Sequence, residues 1–265
     1  MIMTALDNTR VIIGEGSTAI TYAFGENKAL KVYKNHSADI NYEFQVNRYL
    51  TKSGISVPVA YEIVTINGKK GIVFDRAEGN PLTSEILKSP SAALQSLKMM
   101  ARLQASIHKK PAESLKLHKR SLELQIHASC LSETEKTAIL DHLADLPSDK
   151  QLCHGDFHPD NVLICAGTPI IIDWADAASG HPMADLARTI LILRFGGLKK
   201  DLAFWGLIRK WMCWFYIREY KKHRSFSDEE CRKWELPLAA ARLSESIPLH
   251  EKEKLLVIIR SHLKK

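Results

Sequence analysis

His154-Gly155-Asp156-Phe157-His158-Pro159-Asp160-Asn161 runs directly into Val162-Leu163-Ile164, and six residues later Ile170-Ile171-Ile172 ends on Asp173-Trp174. Two short β-rich runs thus bracket a polar turn, in a stretch flanked on both sides by segments of helical periodicity. Asp, Asn, Gly and Pro are individually ordinary turn formers. Their order is what carries information: Asp156, an Asn five residues on, and Asp173 twelve residues after that Asn, closing the next strand. One strand-turn-strand unit therefore carries three oxygen-bearing side chains.

Phosphoryl transfer asks for that set. It needs little covalent chemistry from a protein, but it does need a positioned metal, a group that takes or orients the proton of the attacking hydroxyl, and neutralisation of charge. Mg²⁺ is a hard cation and prefers carboxylate and carboxamide oxygens. Asp156 is assigned as the catalytic base or hydroxyl-orienting residue, and Asn161 and Asp173 as the metal ligands.

Working outward, residues 1–77 alternate as strands and form one expected lobe. A β-rich run over 10–13 ends at Gly14-Glu15-Gly16, strand pattern resumes over 20–24, and Gly25-Glu26-Asn27 turns into Ala29-Leu30-Lys31-Val32-Tyr33. The period then becomes helical over 38–52 and closes at Ser53-Gly54. Runs 61–66 and 70–74 flank Asn67-Gly68, a strong hairpin signal. Residues 78–265 form the second expected lobe, mainly helical, with helices over 91–109, 121–130 and 133–146 and again from Met183 onward. A β-rich lobe followed by a helical one is an α+β architecture.

His154-Gly155-Asp156 with Asn161, followed by Ile171-Ile172-Asp173-Trp174, resembles the aminoglycoside phosphotransferase and choline kinase superfamily, distant relatives of the protein kinases. The resemblance runs from about Gly14 to about Glu245 and implies a bilobal protein-kinase-like fold, with an antiparallel sheet and one main helix in the first lobe. It implies ATP as phosphate donor, Mg²⁺ as cofactor and a small-molecule hydroxyl acceptor. Gly14-Glu15-Gly16-Ser17-Thr18-Ala19 is similar to a kinase glycine-rich loop, so Gly14, Gly16 and Ser17 are assigned to the nucleotide, where missing Cβ atoms let backbone N–H groups approach phosphate. Lys31 matches the lysine that contacts the phosphates, with Glu43 as its ion-pair partner twelve residues on. Arg76-Ala77-Glu78-Gly79 resembles the adenine-binding hinge, which brings in Glu78. His154 and Asp185 are implied as supports of the catalytic loop, and the role of His158 is left open between a surface turn and the site. Asp176, Arg242 and Glu245 are implied near the acceptor, although Arg242 and Glu245 are spaced to pair with each other.

Composition bounds the rest. The 265 residues are 45% hydrophobic and 25% charged, as in ordinary globular proteins. No apolar run approaches the length of a membrane-spanning helix, and no secretory leader is expected at the start, so no membrane partner is implied. Five cysteines at irregular spacing, with no CxxC pair, fit reduced thiols and a cytoplasmic location. The net charge of +7 leaves nucleic acid on the list, but the basic residues are spread out, and their densest stretch, 199–224, reads as an amphipathic helix with a solvated basic face. Nucleic acid is therefore not expected as a partner. Relatives act on aminoglycosides, amino alcohols, sugars and other antibiotics, which makes antibiotic resistance one implied role. The positive charge argues against polycationic acceptors, unless Asp228-Glu229-Glu230 and Glu245 form a local acidic wall. Two other readings keep the fold: a Ser/Thr protein kinase, for which residues 174–182 leave little room for a docking segment, and a non-catalytic nucleotide-binding protein, against which Lys31, Asp156 and Asp173 all stand.

Overall fold

The computed structural model describes residues 11–34, 39–196 and 203–264. Strands β1 (Ile12–Glu15), β2 (Ala19–Phe24) and β3 (Lys28–Tyr33) precede helix α1 (Ile40–Lys52), and β4 (Ala60–Ile66) and β5 (Lys69–Asp75) follow it. These five strands make one antiparallel sheet in the order β1-β2-β3-β5-β4. The β4–β5 turn uses Asn67 and Gly68 at φ +51° and +75°, both left-handed, which suits the natural twist of a two-residue hairpin. Alternation gives the sheet two distinct faces. Leu30, Val32, Ile66 and Val73 pack on one, while Ala19, Tyr33, Ile72 and Phe74 pack with Ile40 and Phe44 of α1 on the other. Helix α1 starts where the Asp39 carboxylate accepts the Tyr42 N–H at 3.0 Å.

The chain continues through β6 (Asn80–Pro81), α2 (Leu82–Ile86), α3 (Pro90–Ile107), α4 (His118–Ala128), α5 (Glu133–Asp145) and β7 (Gln151–Cys153). A single 3₁₀ turn, Pro159–Asn161, leads into the hairpin β8 (Val162–Cys165) and β9 (Thr168–Ile171), and β6 lies along β8 as a third strand. Gly79, just before β6, passes so close to β8 that a Cβ there would lie 2.5 Å from the Ile164 carbonyl oxygen, so only glycine fits. β10 (Ala178–Gly180) pairs with β7, and α6 (Pro182–Phe195), α7 (Ala203–Lys221), α8 (Asp228–Lys233), α9 (Glu235–Arg242) and α10 (Leu249–Leu263) complete the order.

Two units emerge from the contacts. One runs up to Leu82 and takes in Asp160–Asp176; the other holds Thr83–Pro159 and the chain from Ala177. The β8–β9 hairpin groups with the five-stranded unit, where Ile171 N donates to Ser56 O at 3.0 Å and β6 is paired along β8. In the helical unit, Leu97 and Met100 of α3, Leu122 and Ile126 of α4, Ile139 and Leu143 of α5, and Leu255 and Ile259 of α10 are buried. α9 is buried from Leu236 to Arg242, its three alanines permitting close packing.

Helix starts carry their own signals: Ser132 with Glu135 and Ser227 with Glu230 form reciprocal caps at α5 and α8. Several boundaries differ from the sequence reading. α4 begins at His118, three residues before 121, and β9 ends at Ile171, leaving Ile172 outside the ladder. The start of the 10–13 run and residue 38 of the first helix lie outside the described residues. α7 departs from the expected solvated basic face, since Trp211 and Trp214 are 43% and 55% exposed there. No helix among the described residues is long and apolar enough to cross a membrane.

Candidate active site

On β3, buried Leu30 and Val32 point to one face and leave Lys31 and Tyr33 on the face that α1 covers. The helix turns Glu43 toward that face together with Ile40 and Asn47, the i, i+3 and i+7 positions. Lys31 Nζ donates to Glu43 Oε1 at 2.8 Å, and Tyr33 OH donates to the other Glu43 oxygen at 2.5 Å. The expected Lys31–Glu43 pair is thus present despite the short spacing. Lys31 Nζ also donates to Asp173 Oδ1 at 2.8 Å, so one ammonium is shared by two carboxylates. Burial opposes the charge on Lys31, but Asp173 and Glu43 outweigh it and raise its pKa well above the ordinary lysine value. Burial, joined by the Glu43 carboxylate, likewise keeps the Tyr33 phenol protonated.

Asp173 reaches Lys31 from the end of the β8–β9 hairpin. Its φ of +60° lies in the left-handed region, which costs on the order of 1 kcal/mol and which Asp tolerates better than most residues. Ile172 N donates to Asn161 O at 3.0 Å, one step beyond the Val162–Ile171 pair. Asn161 and Asp173 therefore stand at the same open end of the hairpin, the first buried and the second 41% exposed. A carboxamide and a carboxylate oxygen donor fit a hard divalent cation that draws its other ligands from phosphates and water. No group of three or more His, Cys, Asp or Glu residues suited to a metal occurs among the described residues, so a site drawn from protein side chains alone is not built here.

The β1–β2 connection holds the remaining nucleotide assignments. Gly14 lies within β1, Gly16 and Ser17 lie in the exposed tip, and Gly16 N donates to Ala19 O at 2.9 Å. The sequence reading did not find Lys34. It follows β3 directly and bonds Glu15 Oε1 and Gly16 O, each at 2.9 Å, fixing the tip of the loop. Glu78 is exposed, with Arg76 Nε 3.1 Å from its carboxylate.

In the helical unit, a carboxylate organises the loop that carries Asp156. Asp185, three residues after the Pro182 that opens α6, is fully buried. Its Oδ1 accepts the Gly155 N–H at 2.7 Å, and its Oδ2 accepts from Gln104 Nε2 at 3.1 Å and bonds His108 Nε2 at 2.9 Å. Tyr216 OH donates to Gln104 Oε1 at 2.6 Å, and Tyr220 OH meets His108 Nδ1 at 2.6 Å. Burial alone would raise the Asp185 pKa, but the His108 bond and the Gly155 N–H hold it well below the usual carboxylate range. Gly155 has φ +82°, a conformation only glycine adopts freely, and this turn presents its N–H to Asp185. His154 is buried and accepts the Asp156 N–H at Nδ1 at 3.2 Å.

Asp156 itself is partly exposed. Arg188 Nη2 donates to its Oδ1 at 3.0 Å, and His158 Nε2 lies 3.4 Å from its Oδ2. Burial pushes its pKa up, but His158 and Arg188 more than offset this, and the group stays ionised. His158 thus faces Asp156 from the same loop. Arg188 escaped the sequence reading, though its spacing three residues after Asp185 places both on one face of α6. Arg242 and Glu245 do approach each other, at 3.3 Å, but Arg242 is buried and also bonds Glu251, while Glu245 accepts from Arg188 at 2.7 Å. Asp176 is exposed three residues past Asp173. The structure therefore gathers Lys31, Glu43 and Asp173, with Asn161 alongside, in one unit. In the other it gathers Gly155 with Asp185, and Asp156 with Arg188 and Glu245.

A model of the phosphotransferase enzyme family (APH) matches residues 9–203. No curated protein matches the sequence significantly. Among solved structures, an aminoglycoside-3'-phosphotransferase of type VIII is 20% identical, with 89% of this chain and 92% of that chain covered at a TM-score of 0.62. A thermostable mutant of aminoglycoside phosphotransferase APH(4)-Ia, in a ternary complex with AMP-PNP and hygromycin B, is 18% identical over 96% of this chain and 94% of that one, TM-score 0.64. Amicoumacin kinase hAmiN, in complex with AMP-PNP, Ca²⁺ and Ami, is 14% identical over 98% and 89%, TM-score 0.63. At these identities the likeness establishes the fold, which is protein-kinase-like.

Proposed function

The chain belongs to the phosphotransferase enzyme family, and from that premise we propose that it moves the γ-phosphate of ATP to a hydroxyl of a small molecule: an aminoglycoside or other antibiotic, a sugar or an amino alcohol. The observation that supports this most is the Lys31 ammonium, 2.8 Å from both Glu43 and Asp173. Glu43 is buried and fixes the lysine, while Asp173 is exposed and can give up its place to phosphate oxygens. Solved relatives of the same fold bind AMP-PNP, which supports a nucleotide donor.

In this reading Lys31 holds the α- and β-phosphates, and the β1–β2 tip offers backbone N–H groups from Gly14, Gly16 and Ser17, with Glu78 at the hinge beside the adenine. Asn161 and Asp173 would hold Mg²⁺, which when bound supplies charge neutralisation on the phosphates. Asp156 accepts the proton of the acceptor hydroxyl as its oxygen bonds to the γ-phosphorus and the bond to the ADP oxygen breaks. The proton then passes to solvent. Phosphoryl transfer has a loose transition state, so the hydroxyl needs orientation more than a strong base, and a carboxylate held ionised suits that task. His154 and Asp185 fix the loop, while Asp176, Arg242 and Glu245 remain the acceptor-side assignments.

A screen of ATP consumption across aminoglycosides, amino alcohols, sugars and nucleosides tests the proposal. Turnover is expected with at least one small alcohol, and Asp156→Ala is expected to lower it roughly 100- to 10,000-fold while MgATP still binds. Label from γ-labelled ATP arriving in protein instead of small molecules, or undiminished turnover in Asp156→Ala, overturns it.

A further inference from the structure

Arg188 is a nearly buried cation beside Asp156, and its surroundings are asymmetric in a useful way. Its side chain is only 6% exposed, whereas the two carboxylates it bridges, Asp156 and Glu245, keep 28% and 23% of their side-chain surface. One terminal nitrogen donates to Asp156 Oδ1 at 3.0 Å and the other to Glu245 Oε1 at 2.7 Å. A planar guanidinium forked between two anions cannot rotate without breaking a charge-assisted bond. Behind Glu245 the alternation of charge continues: Arg242 Nη1 lies 3.3 Å from Glu245 Oε2, and Arg242 bonds Glu251 of α10, both nearly fully buried.

The chain of ion pairs ends on a partly exposed carboxylate in the loop after His154-Gly155. With Oδ1 taken by Arg188 and His158 beside Oδ2, the plane of the Asp156 carboxylate is set. We propose that Arg188 is a positioning residue, which fixes the orientation of the Asp156 carboxylate toward the acceptor hydroxyl and is itself fixed by Glu245. The inference rests on the reading of Asp156 as the group that receives the hydroxyl proton. It also changes the reading of Glu245, whose carboxylate serves Arg188 and not the acceptor alone.

The test measures phosphate release from MgATP with water as acceptor, together with AMP-PNP binding, in the full chain. Arg188→Ala is expected to lower kcat roughly 100-fold, the scale of a small misplacement of a reacting group, with KM for MgATP within about twofold of wild type because the nucleotide contacts are untouched. Added methylguanidinium should restore part of the rate by occupying the vacated fork, and Arg188→Lys should retain part of it through one of the two bonds. Glu245→Gln should cost roughly tenfold. Wild-type kcat in both Arg188→Ala and Arg188→Lys overturns the proposal. So does a loss that methylguanidinium and lysine both fail to repair, since that is the mark of a merely structural role. If Arg188→Ala does not fold, wild-type kcat in both Arg188→Lys and Glu245→Gln overturns it. Full activity in Asp156→Ala is a separate result, which removes the assignment of Asp156 and not only that of Arg188.

Discussion

Lys31 and Asp185 each centre a charged cluster, one in each unit, yet Asp173 beside Lys31 is 41% exposed while Asp185 and its partner His108 are fully buried. The Lys31 cluster pairs one cation with two anions and leaves an anion facing solvent. Coulombic attraction there is screened, and a ligand can replace Asp173 at modest cost. The Asp185 cluster satisfies both carboxylate oxygens with N–H groups from Gln104 of α3, from His108 just past its end and from the loop at Gly155. The lesson is that burial separates ionic groups with the same chemistry into those left open to solvent and those that hold the chain.

The difference can be broken experimentally. Asp173→Asn keeps the left-handed backbone and the side-chain shape but removes the charge, so stability should change little. Turnover should fall by at least roughly 100-fold, the upper range for loosening a metal's outer shell. Turnover near wild type in this variant would mean that the exposed carboxylate has no part in the chemistry.

Asp185→Asn should behave in the opposite way. A buried amide cannot replace the charge that His108 and Gly155 N–H stabilise, and breaking such a buried set costs about 3 kcal/mol. For a chain of this size the melting temperature should drop by about 10 °C. A melting temperature unchanged within two or three degrees would show that the buried network is dispensable.

A further effect, spread over a range of pH, sharpens the comparison. His118, buried next to Gly180, has its pKa pushed down to about 4, with burial the main cause. As pH falls from about 6.5 to about 4 the unfolded chain takes up that proton and the folded chain does not, so stability should decline by up to about 3 kcal/mol across the window. Lys31 adds nothing there, because its raised pKa keeps it charged in both states and its stabilisation fades only in strong alkali. Melting curves from pH 7 to pH 4 should show the decline in wild type and a shallower one in His118→Gln. Equal slopes would remove His118 as its source.

Much of the five-stranded unit was legible because its signals are local. Alternation in Ala29-Leu30-Lys31-Val32-Tyr33 gave β3, and Asn67-Gly68 gave the hairpin, since few residues besides these tolerate two successive positive φ angles. The two- and three-residue strands β6, β7 and β10 were not legible, because two or three residues carry no period and their partners lie far along the chain. The face of α7 misled for a related reason. The tryptophans among its basic residues read as an inner face, but Cys213, Tyr216 and Tyr220 fill the interior and leave Trp211 and Trp214 outside.

The same division runs through the candidate site. Asp156, Asn161 and Asp173 could be picked from the sequence because turn chemistry and strand spacing confine them to one short segment, and Lys31 because Ala29-Leu30-Lys31-Val32 resembles the family's lysine-bearing strand. Which partners those groups bond was decided only by tertiary structure. Asp173 on Lys31 spans 142 positions, and Arg188 on Asp156 spans 32. Ion pairs are short-ranged in space and indifferent to separation along the chain, so the sequence can supply the charges, and only the packed fold can say which of them meet.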